Sequence, residues 1–174
     1  MAGVRRIIVG VHGSLGSMQA LRYAAEEARE RCVPLVPVIA WVPPGGDAAE
    51  RSRPSPYLRR IWRDEARKRL LNAFDAGLGG IPTDVRVEPL VERGETGQVL
   101  VEVADQPGDL LVIGTGRRGF LGRALHKSVG RYCLAHAKCP VLAVPPSALM
   151  DEISRRPWRL RRHAHSIESE LPAL

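Results

Sequence analysis

The chain has 174 residues, 44% apolar and 26% charged, with 17 glycines and 14 prolines; that suits one domain of roughly 100–200 residues with a buried core and excludes a disordered chain. No run approaches the roughly 18 apolar residues of a membrane helix, the start has no secretory h-region, and Cys32, Cys133 and Cys139 form no Cys-x-x-Cys, so the expectation is a soluble, cytoplasmic domain without disulfides or zinc. The 26 Lys and Arg outnumber the 19 Asp and Glu, a net charge of +7 that favours anionic partners and excludes nothing about fold.

Arg6–Val11 (RIIVGV) is an apolar, β-branched run without alternation, the pattern of a strand buried on both faces. Ser14 and Ser17 then offer helix caps, and Met18, Leu21, Ala25, Ala28 and Cys32 follow at spacings of three and four, one face of a helix. Leu35–Trp41 (LVPVIAW) reads as a second buried strand with Pro37 inside it as a missing donor. The stretch from Pro43 to Pro56, rich in Pro, Gly and Ser, reads as a loop. The longest helix is expected from Tyr57 to about Ala76, with Leu58, Trp62, Ala66, Leu70 and Ala73 as its stripe and glycines at 77, 79 and 80 to end it. Asp84–Val91 is partly alternating and suits an edge strand; Gly94–Asp105 reads as a short helix with Val99, Leu100 and Val103 inward. Asp109–Ile113 is another buried strand, Arg123–Ala137 another amphipathic helix, and Pro140–Val144 the last strand. Alternating strands and helices define an α/β domain, a Rossmann-like open parallel sheet with helices on both faces. The domain is expected over residues 1–146, followed by a basic tail, 147–174, with no periodic apolar face. Arg155, Arg156, Trp158, Arg159, Arg161 and Arg162 in that tail read as solvated charge in preference to a nucleic-acid site.

An open parallel sheet binds ligands at the carboxyl ends of its strands, where the strand order reverses. Two loops have suitable chemistry: His12-Gly13-Ser14 after the first strand, and Gly114–Gly122 (GTGRRGFLG) after the fourth. Four glycines in those nine residues let backbone N–H groups approach an anion, and the following helix start adds partial positive charge. From Leu110 to Met150 there is no acid, while Arg117, Arg118, Arg123, Lys127, Arg131 and Lys138 all occur there, so the local field is positive. Gly114-x-Gly116-x-x-Gly119 matches a dinucleotide fingerprint in form, but no acid follows until Asp151 to hold a ribose. His126-Lys127-Ser128 imitates the end of a P-loop but lacks the glycine before its lysine. Neither reading stands. Cys133 and Cys139 are read as packing residues.

Taken together, RRIIVGVHGSLGSMQALRYAAEEA, RGETGQVLVEVA, GDLLVIGTGRRGFLGRALHKSV and CPVLAVP, in this order from Arg5 to Pro145, resemble the universal stress protein family. The resemblance implies a five-stranded parallel sheet in the order 3-2-1-4-5, with the switch point between strands one and four. It also implies a homodimer through the last strand, Val141, Leu142, Ala143 and Val144. Nucleotide-binding members carry Gly-x2-Gly-x9-Gly-[Ser/Thr] in the second loop; Gly114 and Ser128 match it, whereas Arg117 and Lys127 stand at two of its glycines. Where such members place an Asp after strand one this chain has His12, and Val38 falls where the family lines the adenine pocket. The implied function is a stress-response protein that binds an adenine nucleotide, ATP or another, with or without Mg, and regulates without catalysing. The cradle would consist of Gly114, Thr115, Gly116, Arg117, Arg118, Gly119 and Ser128, with His12, Gly13 and Val38 toward the nucleoside. The second reading keeps the fold, loses the nucleotide and makes the chain a dimeric interaction module whose basic face takes an unidentified protein or a nucleic-acid partner. Slow ATP hydrolysis comes third, because neither loop carries a general base other than His12 and His126. Under the leading reading neither nucleic acid nor membrane is expected as a partner.

Overall fold

The structure, a computed structural model, describes residues 3–115 and 129–146. In chain order the elements are β1 (Arg6–Gly10), α1 (Leu15–Arg31), β2 (Leu35–Trp41), α2 (Gly46–Ser52), α3 (Pro56–Leu78), β3 (Leu90–Arg93), α4 (Thr96–Val103), β4 (Asp109–Gly114), α5 (Val129–His136) and β5 (Val141–Val144). The strands form one sheet in the order β3-β2-β1-β4-β5, with every neighbouring pair parallel. This is the expected order, and it makes β3 and β5 the edges.

The period of two along each strand divides the core into two layers. Ile7, Val9, Leu35, Ile39 and Val112 pack under α1 and α3, against Leu21, Ala25, Leu70 and Phe74. On the other face Ile8, Val36, Val38, Leu111 and Ile113 meet Val99 and Leu100 of α4 and Cys133 of α5. Helices therefore cover both sides, which explains why β1, β2 and β4 are continuously apolar. Helix α1 begins because the Ser14 hydroxyl oxygen accepts from the Ser17 N–H, 3.3 Å. It ends at Cys32, which adopts a left-handed backbone, φ 52°. Cys32 is exposed there, so the expected apolar face stops at Ala28. In α3, Ser55 caps the start, Pro56 occupies the first turn and Gly79 closes the end. Ala66, Leu70 and Ala73 of its expected stripe are buried, while Leu58 is exposed.

At the amino ends of β1 and β4, Arg6 holds Asp109 through two bonds, Nε to Oδ1 at 2.9 Å and Nη2 to Oδ2 at 2.7 Å. The Arg6 Nη2 also donates to the Val103 carbonyl, and the Gln106 N–H donates to Asp109. The Asp109 side chain is 1% exposed and fully partnered, so this end of the sheet is closed structurally, leaving the carboxyl ends for chemistry.

Two departures from expectation have physical causes. The stretch from Pro43 to Pro56 is not all loop: α2 forms inside it, tied down by ion pairs across the molecule. The third strand begins at Leu90, not at Asp84. Leu35 donates to the Arg86 carbonyl and Trp41 accepts from the Gly94 N–H, so odd-numbered residues of β2 turn their backbone toward β3. Pro37 lies on that side with no N–H to donate, and the pairing divides around it into a single Leu35–Val87 bridge and the short ladder from Val38–Leu90 to Trp41–Arg93. No helix among the described residues is long and apolar enough to cross a membrane.

Candidate functional site

The switch point of the sheet lies between β1 and β4, which run side by side with partners from Arg6–Asp109 to Val9–Val112. Their following loops therefore emerge together at the carboxyl edge. What brings them into contact is a pair of glycines. A β-carbon on Gly114 would lie on the Gly16 carbonyl group, 2.6 Å from its carbon and 3.0 Å from the Ser17 nitrogen. Only glycine at 114 lets the end of β4 abut the first turn of α1.

The first wall of the crevice is the β1–α1 turn. Val11 continues the β1 backbone by donating to the Val38 carbonyl at 2.8 Å. Gly13 has φ +83° with open space beside it, and His12 is exposed. The buried Ser17 locks this turn, donating its hydroxyl to the Ser14 carbonyl at 2.9 Å and accepting from the His12 N–H at 3.3 Å. The turn is thus rigid underneath and open above. The start of α1 faces the same space, and its first turn carries no acid, so its partial positive charge stands uncancelled.

The second wall begins at Gly114 and Thr115. The Thr115 N–H donates to the Val144 carbonyl at 2.8 Å and its hydroxyl reaches the same oxygen at 3.3 Å. Thr115 therefore binds the loop to β5 and turns its donors away from the crevice. Gly116, Arg117, Arg118, Gly119 and Ser128 lie outside the described residues. Val38 sits in the middle of β2, and its side chain, 1% exposed, packs among Ile8, Leu100 and Leu111. It lines the core; its carbonyl, already accepting from Val11, is the part nearest the turn.

Of the expected site residues, then, the structure joins His12, Gly13 and Gly114 at one crevice, turns Thr115 toward β5 and places Val38 below in the core. Two contributors escaped sequence reading: Gly16, whose carbonyl receives Gly114, and Ser17, which braces the turn. A small residue at 16 and a serine three after Ser14 were visible, but no local pattern pairs residue 16 with residue 114.

A second polar cluster caps the carboxyl ends of β2 and β3. Arg93 pairs with Asp47 of α2 at 2.6 Å and with the buried Glu50, and Arg59 of α3 forms an ion pair with Glu50 without hydrogen-bond alignment. The Arg93 guanidinium also lies 5.9 Å above the Trp41 ring, and Trp41 stands 6.5 Å from Trp62. The Arg93 cation holds the Asp47 carboxyl below the usual carboxylate range. This cluster fastens α2 and the start of α3 to the sheet.

As a receptacle, the described half of the crevice suits an anion with a flat or polar body: a positive-φ glycine with free space, an uncancelled helix start and no carboxylate on either loop. It does not suit a protein-bound Mg ion, which takes oxygen ligands from carboxylates; among the described residues no cluster of three His, Cys, Asp or Glu forms a metal site. Burial raises the Cys133 and Cys139 thiols above their ordinary pKa, which matches packing rather than reactivity.

These features define an α/β domain with a backbone-lined crevice at its switch point. The sequence matches the model of the universal stress protein family over residues 3–145, and the chain belongs to that family. A universal stress protein of Mycolicibacterium smegmatis is 33% identical over 143 residues, which are 80% of this chain and 45% of the relative. The chain spans about half the length of the curated relatives it matches. Among solved structures, a universal stress protein in complex with cAMP is 26% identical with a TM-score of 0.54, covering 84% of this chain and all of that one. The universal stress protein of Archaeoglobus fulgidus has the same fold at 23% identity, with a TM-score of 0.53 over 83% of this chain and 99% of its own.

Proposed function

We propose that this chain binds an adenine nucleotide at the β1/β4 crevice and acts as a regulator in a stress response, not as a catalyst. The observation that carries the reading is the contact of Gly114 with Gly16, which sets the end of β4, where the glycine- and arginine-rich stretch begins in the sequence, against the open start of α1. The cAMP complex of a 26% identical family member supports the same ligand class. In this reading His12 and Gly13 face the nucleoside side, and Gly116, Arg117, Arg118, Gly119 and Ser128 hold the phosphates. Arg117 and Lys127 replace two family glycines here and, with Arg118, supply charge-assisted bonds in place of backbone N–H groups. ATP is the favoured form, and any Mg present is held by the phosphates and water.

The test is to denature purified protein, analyse the released small molecules by nucleotide chromatography with mass detection, and titrate the emptied protein with ATP and cAMP by calorimetry. Co-purified or micromolar adenine nucleotide, lost in Gly119→Asp without change in the folded circular dichroism spectrum, is the expected result. No released nucleotide and no heat would overturn it. A second reading, a nucleotide-free dimeric module, is favoured by one observation: exposed His12 stands where binding members place Asp. It predicts pull-down of a protein partner that ATP does not alter and that reversal of Arg117 and Arg118 weakens.

A further inference from the structure

On the opposite side of the sheet from β5, a groove of about 380 Å3 runs between α3 and the edge strand β3. Its volume lies at the lower end of the roughly 300–1,000 Å3 of small-molecule sites. Leu71 of α3 and Ile81 of the following turn line it and are 41% and 50% exposed, while Leu70 forms its buried floor. Pro89 and Val91 supply the opposite wall. Pro89 has no N–H, so that wall is apolar and offers little backbone for an added strand.

The rim of the groove is cationic. Arg63 and Arg67 stand one turn apart, on the flank of α3 that carries Leu71 a turn later. Among the described residues neither makes an ion pair or a side-chain hydrogen bond, although six other arginines pair with carboxylates. Asp64 is the one acid on the lining, and it too forms no ion pair among the described residues. Two guanidiniums against one carboxylate leave a net charge of +1 at the mouth, which matches a single negative charge.

We infer that this groove binds a small amphipathic carboxylate, with its anionic head between Arg63 and Arg67 and its apolar body on Leu71, Ile81 and Val91. The site is separate from the nucleotide crevice. A carboxylate presents two oxygens to paired guanidiniums, and an apolar chain covers surface that α3 and β3 leave to water.

The probe is decanoate, titrated below its micellar range into the full-length protein while the Leu, Ile and Val methyl resonances are followed. Decyltrimethylammonium has the same chain with the opposite charge, and butyrate has the same head with little body. The expected result is saturable shifts at Leu71, Ile81 and Val91 with decanoate, unaffected by ATP. Both comparison compounds, and the exposed-site double variant Arg63→Gln/Arg67→Gln, should bind at least about tenfold more weakly. Equal shifts with decyltrimethylammonium, unchanged affinity in the double variant, or no saturable shift at these methyls would each overturn the assignment.

Discussion

Gly114 shows how much one atom decides. Adding a single methyl group places it on the Gly16 carbonyl, where backbone rather than a flexible side chain must move. We expect Gly114→Ala to destabilise the domain by about 1–3 kcal/mol, the range for overpacking, and to weaken nucleotide binding more than its stability loss explains. Urea unfolding and calorimetry at a temperature where the variant is folded would separate the two effects. Unchanged affinity would mean that the β4 loop does not need its seat on α1. The same scale explains His12 and Thr115. Adjacent to equally suitable glycines, one is exposed at the crevice and the other is bonded to Val144, a difference set by which strand each follows.

At the scale of the element, helices α1 and α2 illustrate two ways of fastening local structure. Along α1, the Tyr23 hydroxyl donates to Glu27 at 2.9 Å and Arg31 donates to the same carboxylate at 2.6 Å. Hydrogen bonds from Arg31 and then Tyr23 lower the Glu27 pKa from its ordinary 4.5. A carboxyl group depressed in the folded state adds stability that is present above its unfolded pKa and is lost as pH falls through the folded one. Thermal unfolding against pH should therefore decline below about pH 4.5 less steeply in Glu27→Gln than in the parent; parallel curves would remove Glu27 from the acid response. Tyr23 works in the opposite sense, because its pKa is raised, chiefly by its bond to Glu27, so its share is lost at alkaline pH.

Helix α2 has seven residues, too short to persist alone. Glu50, 7% exposed, and Asp47 hold it to Arg93 and Arg59, which come from β3 and α3. Both guanidiniums are more than one-third exposed, so solvent screens the pairs. Glu50→Gln should cost about 1–2 kcal/mol, less than a wholly buried pair, and hydrogen exchange should rise selectively over Gly46–Ser52. Protection unchanged across α2 would show that packing, not charge, holds it.

For the whole molecule, the sheet has two edges with different characters. Beside β3 run α3 and the arginine-rimmed groove, and Pro89 immediately precedes the strand. The outer side of β5, Val141–Val144, has no strand partner among the described residues, and Ala143 is exposed. We propose that the homodimer implied by the family resemblance pairs two copies of that edge. Ala143→Lys, which puts a charge on an edge strand, should convert a dimer to a monomer in light scattering while leaving the thermal unfolding of the subunit cooperative. A monomeric parent, or a variant that stays dimeric, would move the interface elsewhere.

The sequence by itself determined the alternation of strands and helices, the buried character of β1, β2 and β4, and the α/β class, because apolar periodicity and Ser, Pro and Gly punctuation are local signals. The 3-2-1-4-5 order came from the family resemblance carried by motifs spread from Arg5 to Pro145, and the sheet has that order. It also marked the two loops of the crevice, since glycine content and the acid-free stretch are compositional. What only tertiary structure decided depends on partners distant along the chain. α2 folds because Arg93 and Arg59 neutralise its carboxylates; β3 starts late because Pro37 on the neighbouring strand withholds a donor. Val38 faces the core because β2 alternates between two covered faces, and the crevice closes because residue 114 meets residue 16. Apart from Arg59 and Glu50, each of these pairs is dozens of residues apart or depends on which side of a strand faces which layer. Such juxtapositions arise from packing, and no local sequence signal specifies them.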